Sequence, residues 1–218
     1  MIPAVNAVMK RMSSGEHVLL SLGLMVPVVA VALFVLRAAV RAETPVRAAP
    51  GLREILAGLG WRSVRPAGEN MLCGVLGYVM MMPPLLIAGA LSAWIFKNVA
   101  TPEHPAQMLI FGLHGFWDRF LLILEAVVVA PIVEETMFRG LLYPALRERW
   151  GVPGGIALSA GIFAIVHPTM PGAFLPLWTI GSALALAFER RDSLLTGMVM
   201  HAIQNGMAMY IGFALVAQ

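Results

Sequence analysis

The sequence predicts an all-α protein, a polytopic membrane bundle of about six transmembrane helices with a polar cavity and one short interfacial helix. Three observations predict it. Of 218 residues, 59% are hydrophobic and 12% charged, against roughly 45–50% apolar content in soluble domains. The mean hydropathy is +0.82. Several apolar runs approach the about 20 residues that a helix needs to cross a bilayer. The length leaves room for one integral membrane domain, 1–218, and little else.

Six spans can be drawn, at 18–40, 70–96, 117–137, 154–168, 173–188 and 193–216. The run Val18 to Val40 follows Lys10 and Arg11 in the manner of a signal peptide, but it exceeds the roughly 7–15-residue core of one, and Arg37 and Arg41 lie at its far end. It reads as a first transmembrane helix. In the second span, MMMPPLL (Met80 to Leu86) should kink the helix, since two prolines remove donors and crowd the preceding turn. The fourth and fifth are short, which suits spans that border a cavity. Between the first two spans, GLREILAGLGW (Gly51 to Trp61) places Leu52, Ile55, Leu56 and Leu59 at helical spacing, with Arg53 and Glu54 on another face. It fits an interfacial helix or a plain connecting helix equally well.

Basic residues set the orientation. Arg37, Arg41, Arg47, Arg53, Arg62, Arg65, Arg139, Arg147, Arg149, Arg190 and Arg191 fall on one side, and Lys10, Arg11, Lys97 and Arg119 on the other. Eleven against four puts both termini away from the cytoplasm. Because the basic residues flank apolar runs, the net charge of +3 is a topology signal, and nucleic acid is not an expected partner. The lone Cys73 sits in an apolar segment and offers neither a disulfide framework nor a thiolate metal cluster.

A charged side chain at the centre of a bilayer costs about 2.5–3.5 kcal/mol on the mildest scale, so each one is a functional hypothesis. The candidates are Glu125, Glu134, Glu135, Arg139, His167 and His201, with Asn205 as a neutral partner. Glu135 and Arg139 are four apart and can pair, leaving Glu134 about 100° away on the helix. A carboxylate in a partly dry cavity suits proton exchange with water. The alternative for this group is an ion-pair network at a helix end. In FAIVH, Phe163 and His167 share a helix face, and Pro168 should end the helix there, leaving His167 at a cavity edge or as a hydrogen-bonded packing residue. In HAIQN, His201 and Asn205 share a face and either serve a site or hold helices together. Three spans thus bring polar faces that must converge on one another or on water. A carboxylate base, a histidine to orient water and a His/Asn donor pair are the parts that amide hydrolysis requires.

EETMFRG (Glu134 to Gly140), FAIVH (Phe163 to His167) and HAIQN (His201 to Asn205) resemble, in order, the EExxxR, FxxxH and HxxxN motifs of the CPBP family. That family holds the CAAX proteases and bacteriocin-processing enzymes, also called Abi, of the glutamate-type intramembrane proteases. The resemblance covers about 116–210, the expected catalytic core. It implies that Glu134 is the general base activating water with help from His167, and that His201 and Asn205 stabilise the oxyanion. Glu135, Arg139 and Phe163 would support them, and Glu135 could share the handling of water. Glu125 lies outside the motifs; nine residues before Glu134, it falls on the opposite side of an ideal helix.

Two histidines and a carboxylate could also hold Zn²⁺, through Glu134, His167 and His201. The resemblance favours no obligatory metal or other cofactor. HExxH is absent, Asp118 and Asp192 lie near span ends, and Ser159 lacks a GxSG context, so other intramembrane protease chemistries fit less well. The expected partners are the lipid bilayer and a membrane-associated protein or peptide substrate; no oligomeric state follows. A non-enzymatic class stays open: a membrane peptide-binding or immunity protein, or a small carrier. Thirteen arginines against two lysines point to a GC-rich bacterial genome, hence a bacterial cytoplasmic membrane.

Overall fold

The computed structural model describes residues 58–61, 63–99, 115–167 and 169–216. Every described element is helical: α1 (Ala67–Ile95), α2 (Phe116–Leu124), a π turn (Glu125–Val129), α3 (Ala130–Glu135), a second π turn (Thr136–Leu142), α4 (Tyr143–Val166), α5 (Phe174–Arg191) and α6 (Leu194–Val216). The all-α class therefore holds. The expected span 18–40 and most of the expected interfacial helix lie outside the described residues.

The described residues do not confirm the count of six spans. Among the described residues one helix, α1, is by itself long and apolar enough to cross a bilayer. Charge and local breaks account for the segments before α6, and the neutral polar residues His201, Gln204 and Asn205 for α6. The segment from Phe116 to Val166 is divided by two π turns and carries Glu134, Glu135 and Arg139, and α5 ends in Glu189, Arg190 and Arg191. In α1 the expected kink does not interrupt the helix, which is continuous through Pro83 and Pro84. Both prolines are exposed.

α1 is inverted relative to a soluble helix. It buries Asn70 and Ser92 and exposes Met80, Leu86 and Trp94 at 74%, 69% and 69%. That distribution suits a hydrocarbon surround, where polar groups must find partners inside the protein. Asn70 Oδ1 accepts from Arg191 at 3.0 Å, and Ser92 Oγ donates to the Gly172 carbonyl, tying α1 to the turn after His167.

At Gly151 (φ 67°, ψ 178°) the backbone enters a region that favours glycine, and α4 divides into 143–150 and 152–166. The second part folds back: a Cβ on Gly155 would stand 2.8 Å from Arg147 Cα, and the Phe138 and Phe163 rings meet edge to face at 5.1 Å. α5 packs between α4 and α1, and α6 closes against α1, α5 and α3. Close approach depends on small residues, as it does in membrane bundles. A Cβ on Gly181 of α5 would lie 2.9 Å from Ala160 Cα of α4. The core joins Met81 and Leu85 of α1, Phe138, Phe163 of α4, Ile180 and Leu184 of α5, and Met200 of α6. Leu59, at the end of the expected interfacial helix, is 2% exposed and packs under Gly140, so this end is built into the bundle.

At the end of the bundle where α5 turns into α6, Glu189 and Arg191 are paired. Arg147 holds Glu189 through two contacts of 2.8 Å, and the Tyr143 hydroxyl donates to Glu189 at 2.7 Å. Arg147, chiefly through its hydrogen bond, holds the Glu189 carboxyl below its usual value, and burial followed by Glu189 pushes the Tyr143 phenol up to about 12. Arg191 Nη2 reaches Glu69 at 2.8 Å, joining α5 to the start of α1.

Candidate active site

Glu134 and Glu135 occupy α3, a six-residue α-helical stretch between the two π turns. π turns widen the helix and concentrate at functional sites. The first begins at Glu125, so the ideal-helix spacing that set Glu125 opposite Glu134 does not apply.

Glu135 and Arg139 form the expected i, i+4 pair, Arg139 Nη1 donating to Glu135 Oε1 at 2.8 Å with the two residues 0% and 1% exposed. A buried ion pair survives only when its remaining valences are met. Arg139 Nη2 donates to the Gly181 carbonyl at 3.1 Å, and its guanidinium lies 4.9 Å from the centre of the Phe163 ring. His201 Nδ1 meets the same Glu135 Oε1 at 3.0 Å. An ionised carboxylate only accepts, so Nδ1 carries a proton and donates it to Glu135, and the ring turns its Nε2 to the other side.

His167 is fixed by the end of its helix. α4 stops at Val166, and His167 is extended (φ −77°, ψ 136°), as a residue before proline should be. Its backbone N–H goes to Ala164 O at 3.3 Å, which frees the Phe163 carbonyl to accept from the His167 ring Nδ1–H at 2.6 Å. The Phe163 ring supports the imidazole at 4.4 Å between centroids and meets His201 at 5.9 Å. Phe163 is thus a platform for Arg139 and both histidines.

Both rings then present Nε2 to one oxygen. Glu134 Oε2 lies 3.9 Å from His167 Nε2 and 3.7 Å from His201 Nε2. These separations exceed a direct hydrogen bond and suit a shared water. Glu134 Oε2 is buried with no hydrogen-bond partner, although the side chain as a whole is 22% exposed. The structure therefore gathers Glu134, Glu135, Arg139, Phe163, His167 and His201. Asn205 is set apart: its Nδ2–H donates at 2.8 Å to the Ala126 carbonyl in the first π turn, which leaves it one further N–H.

Two residues that the motifs omit complete the arrangement. A Cβ on Gly197 would lie 2.6 Å from Glu135 Oε2, so glycine is what lets α6 approach the carboxylate. Gly197 precedes His201 by four residues, a spacing that could have marked it. Gly181 supplies the carbonyl for Arg139, a contact that only the fold creates.

Zinc ligand atoms lie about 2.0–2.2 Å from the ion, hence about 3.3 Å from one another in a tetrahedral shell. The Glu134 to histidine separations of 3.9 and 3.7 Å are wider. Among the described residues no group of three or more His, Cys, Asp or Glu side chains is arranged to hold a metal ion. The donor types suit zinc; their placement does not form its shell.

Residues 115–207 match the family described as type II CAAX prenyl endopeptidase Rce1-like. An Escherichia coli protein described as "Uncharacterized 24.3 kDa protein" is 24% identical over 164 residues, 65% of this chain and 76% of its own length. The Bacillus subtilis (strain 168) protein "Putative membrane peptidase YdiL" is 24% identical over 139 residues, which cover 63% of this chain and 54% of that protein. No solved structure matches. Over residues 115–207, which hold all three motifs, this chain is similar to the Rce1-like type II CAAX prenyl endopeptidases.

Proposed function

We propose that this protein is an intramembrane endopeptidase that hydrolyses a peptide bond of a membrane-associated protein or peptide with water activated by Glu134. The observation that carries this reading is the convergence of two imidazole Nε2 atoms on one unpaired carboxylate oxygen, Glu134 Oε2. A water between them gives a proton to Glu134 while His167 orients it, and its oxygen attacks the carbonyl carbon. The oxyanion accepts from His201 and from the remaining N–H of Asn205. In that role the His201 ring is imidazolium, Nε2–H facing the oxyanion and Nδ1–H facing Glu135. Collapse breaks the C–N bond, and Glu134 returns its proton to the leaving amine. Each group acts at an atom its neighbours have already oriented, so little reorganisation is needed during the reaction.

The family description makes a peptide ending in a prenylated cysteine and three further residues the first probe of substrate class. No step is routed through a metal, and cleavage should persist after chelation and in protein free of zinc by elemental analysis. Loss of cleavage on chelation, restored by zinc, would reject the metal-free form. In cells, membrane proteomes from strains with wild-type and Glu134→Ala protein should differ by at least one precursor that accumulates in the variant. If no peptide terminus changes and the variant keeps its biological activity, a binding protein replaces the protease.

A further inference from the structure

Three buried side-chain atoms among the described residues lack a hydrogen-bond partner: Glu134 Oε2, Glu135 Oε2 and Gln204 Oε1. Two belong to the site above, and the third has no role in it. A buried acceptor without a donor destabilises a fold, so such atoms are few and need a reason.

The position of Gln204 supplies one. On α6, Gly197 lies against Glu135, His201 binds Glu135, and Asn205 binds Ala126, so this side of the helix faces the segment that bears Glu134. Val199, on the far side, meets Gly74 of α1, and Met200, one turn before Gln204, meets Gly77 of α1. Gln204 follows Gly197 by seven residues, nearly two turns at about 3.6 residues each, and so lies within about 20° of the same line. Along the axis it stands between His201 and Asn205. A buried carbonyl oxygen is thereby carried between the side of α6 that faces the site and the side that faces α1, less than one turn from a histidine that faces Glu134.

A peptide entering a bilayer protein in extended form must find acceptors for its backbone N–H groups, because no hydrocarbon supplies them. An extended strand offers such groups to each side alternately. In the proposed reaction Glu134 Oε2 serves water, Glu135 Oε1 accepts from Arg139 and His201, and Glu135 Oε2 lies against Gly197. We propose that Gln204 is a substrate-binding residue, its buried side-chain carbonyl accepting one backbone N–H of an extended peptide laid beside Glu134. The proposal rests on the peptide-hydrolase reading, and it names a group that reads the substrate's main chain, whatever its side chains are.

The test uses full-length protein with Glu134→Gln to stop turnover, and a fluorescent peptide ending in farnesyl-cysteine and three further residues. A series of the same peptide carries N-methylation at one backbone amide at a time. Fluorescence anisotropy should show that Gln204→Leu weakens binding of the parent peptide about tenfold, as loss of one hydrogen bond would. One N-methyl position should weaken binding to the Gln204 protein by the same factor and have no further effect in Gln204→Leu. The melting temperature of Gln204→Leu should be unchanged or raised, since an orphan acceptor is removed; a purely structural glutamine would lower it. Equal affinity in the two proteins, penalties that multiply, or no binding of the peptide would each overturn the proposal. Binding with these properties but no cleavage by the wild-type chain would instead sink the protease reading and leave the role of Gln204 standing.

Discussion

Two polar clusters in this bundle use similar side chains to opposite ends. Where α5 meets α6, Glu189 accepts from both Arg147 and Tyr143, and Arg191 joins Glu69 and Asn70. In the interior, Glu135 Oε1 is paired with Arg139 and His201 while its Oε2 lies against Gly197, and Glu134 keeps a buried oxygen without a donor between two imidazoles. The outer cluster lies partly in solvent, with Arg147 49% exposed, and ties helices together. In the inner one the Glu134 oxygen is buried, where an unpaired polar atom is costly. Glu134 and Glu135 each leave one oxygen without a donor, and they differ in what it faces: two imidazole Nε2 atoms for Glu134, Gly197 for Glu135.

The largest expected effect tests the Glu134 oxygen. Glu134→Gln keeps the shape and should lower cleavage by about 10³-fold or more while the melting temperature holds; a variant that cleaves at near wild-type rate would end the comparison. Next comes the paired interior. Arg139→Leu strands a buried carboxylate and should cost about 3–5 kcal/mol in denaturant unfolding. The double variant Glu135→Leu/Arg139→Leu should be less destabilised than Arg139→Leu alone. If the two losses simply add, the pair is not the unit described here. Gly197→Ala drives a methyl to 2.6 Å from Glu135 Oε2. Overpacking of this kind costs about 1–3 kcal/mol, and cleavage should fall with stability because Glu135 aims His201.

The smallest effect belongs to the outer cluster. Glu189 has its pKa lowered from 4.5 by Arg147, so its contribution is full above that value and is lost as pH falls through the lowered folded one. Thermal unfolding followed from neutral pH into acid should therefore show a shallower decline for Glu189→Gln than for wild type. The substitution should leave peptide cleavage unchanged. A cleavage defect as large as that of Glu134→Gln would merge the two clusters into one.

The candidate site was legible because its chemistry depends on spacing within single helices. Glu135 with Arg139 and Phe163 with His167 are each i, i+4, and Pro168 marks the end of a helix from its own geometry. What spacing could not supply was the partner across helices. Asn205 reads as a free donor in the sequence but gives one N–H to Ala126, a carbonyl in a π turn that no residue pattern announced. The same π turn spoiled the placement of Glu125, since an angle counted at 100° per residue fails once the helix widens. The count of spans stays an expectation for a related reason: apolar content identifies a buried segment without saying whether lipid or protein covers it.

By itself the sequence determined that the chain is helical, that it suits a membrane, and which three segments carry polar faces. Those properties follow from composition and from the 3.6-residue period, which are local. Only the tertiary structure decided that Glu135 Oε1 serves Arg139 and His201 together, that Gly181 and Gly197 admit the close approaches this requires, and that Glu134 Oε2, Glu135 Oε2 and Gln204 Oε1 are left without donors. Hydrogen-bond satisfaction is a property of all the groups within about 3 Å of an atom, and most of those come from helices far apart in the chain.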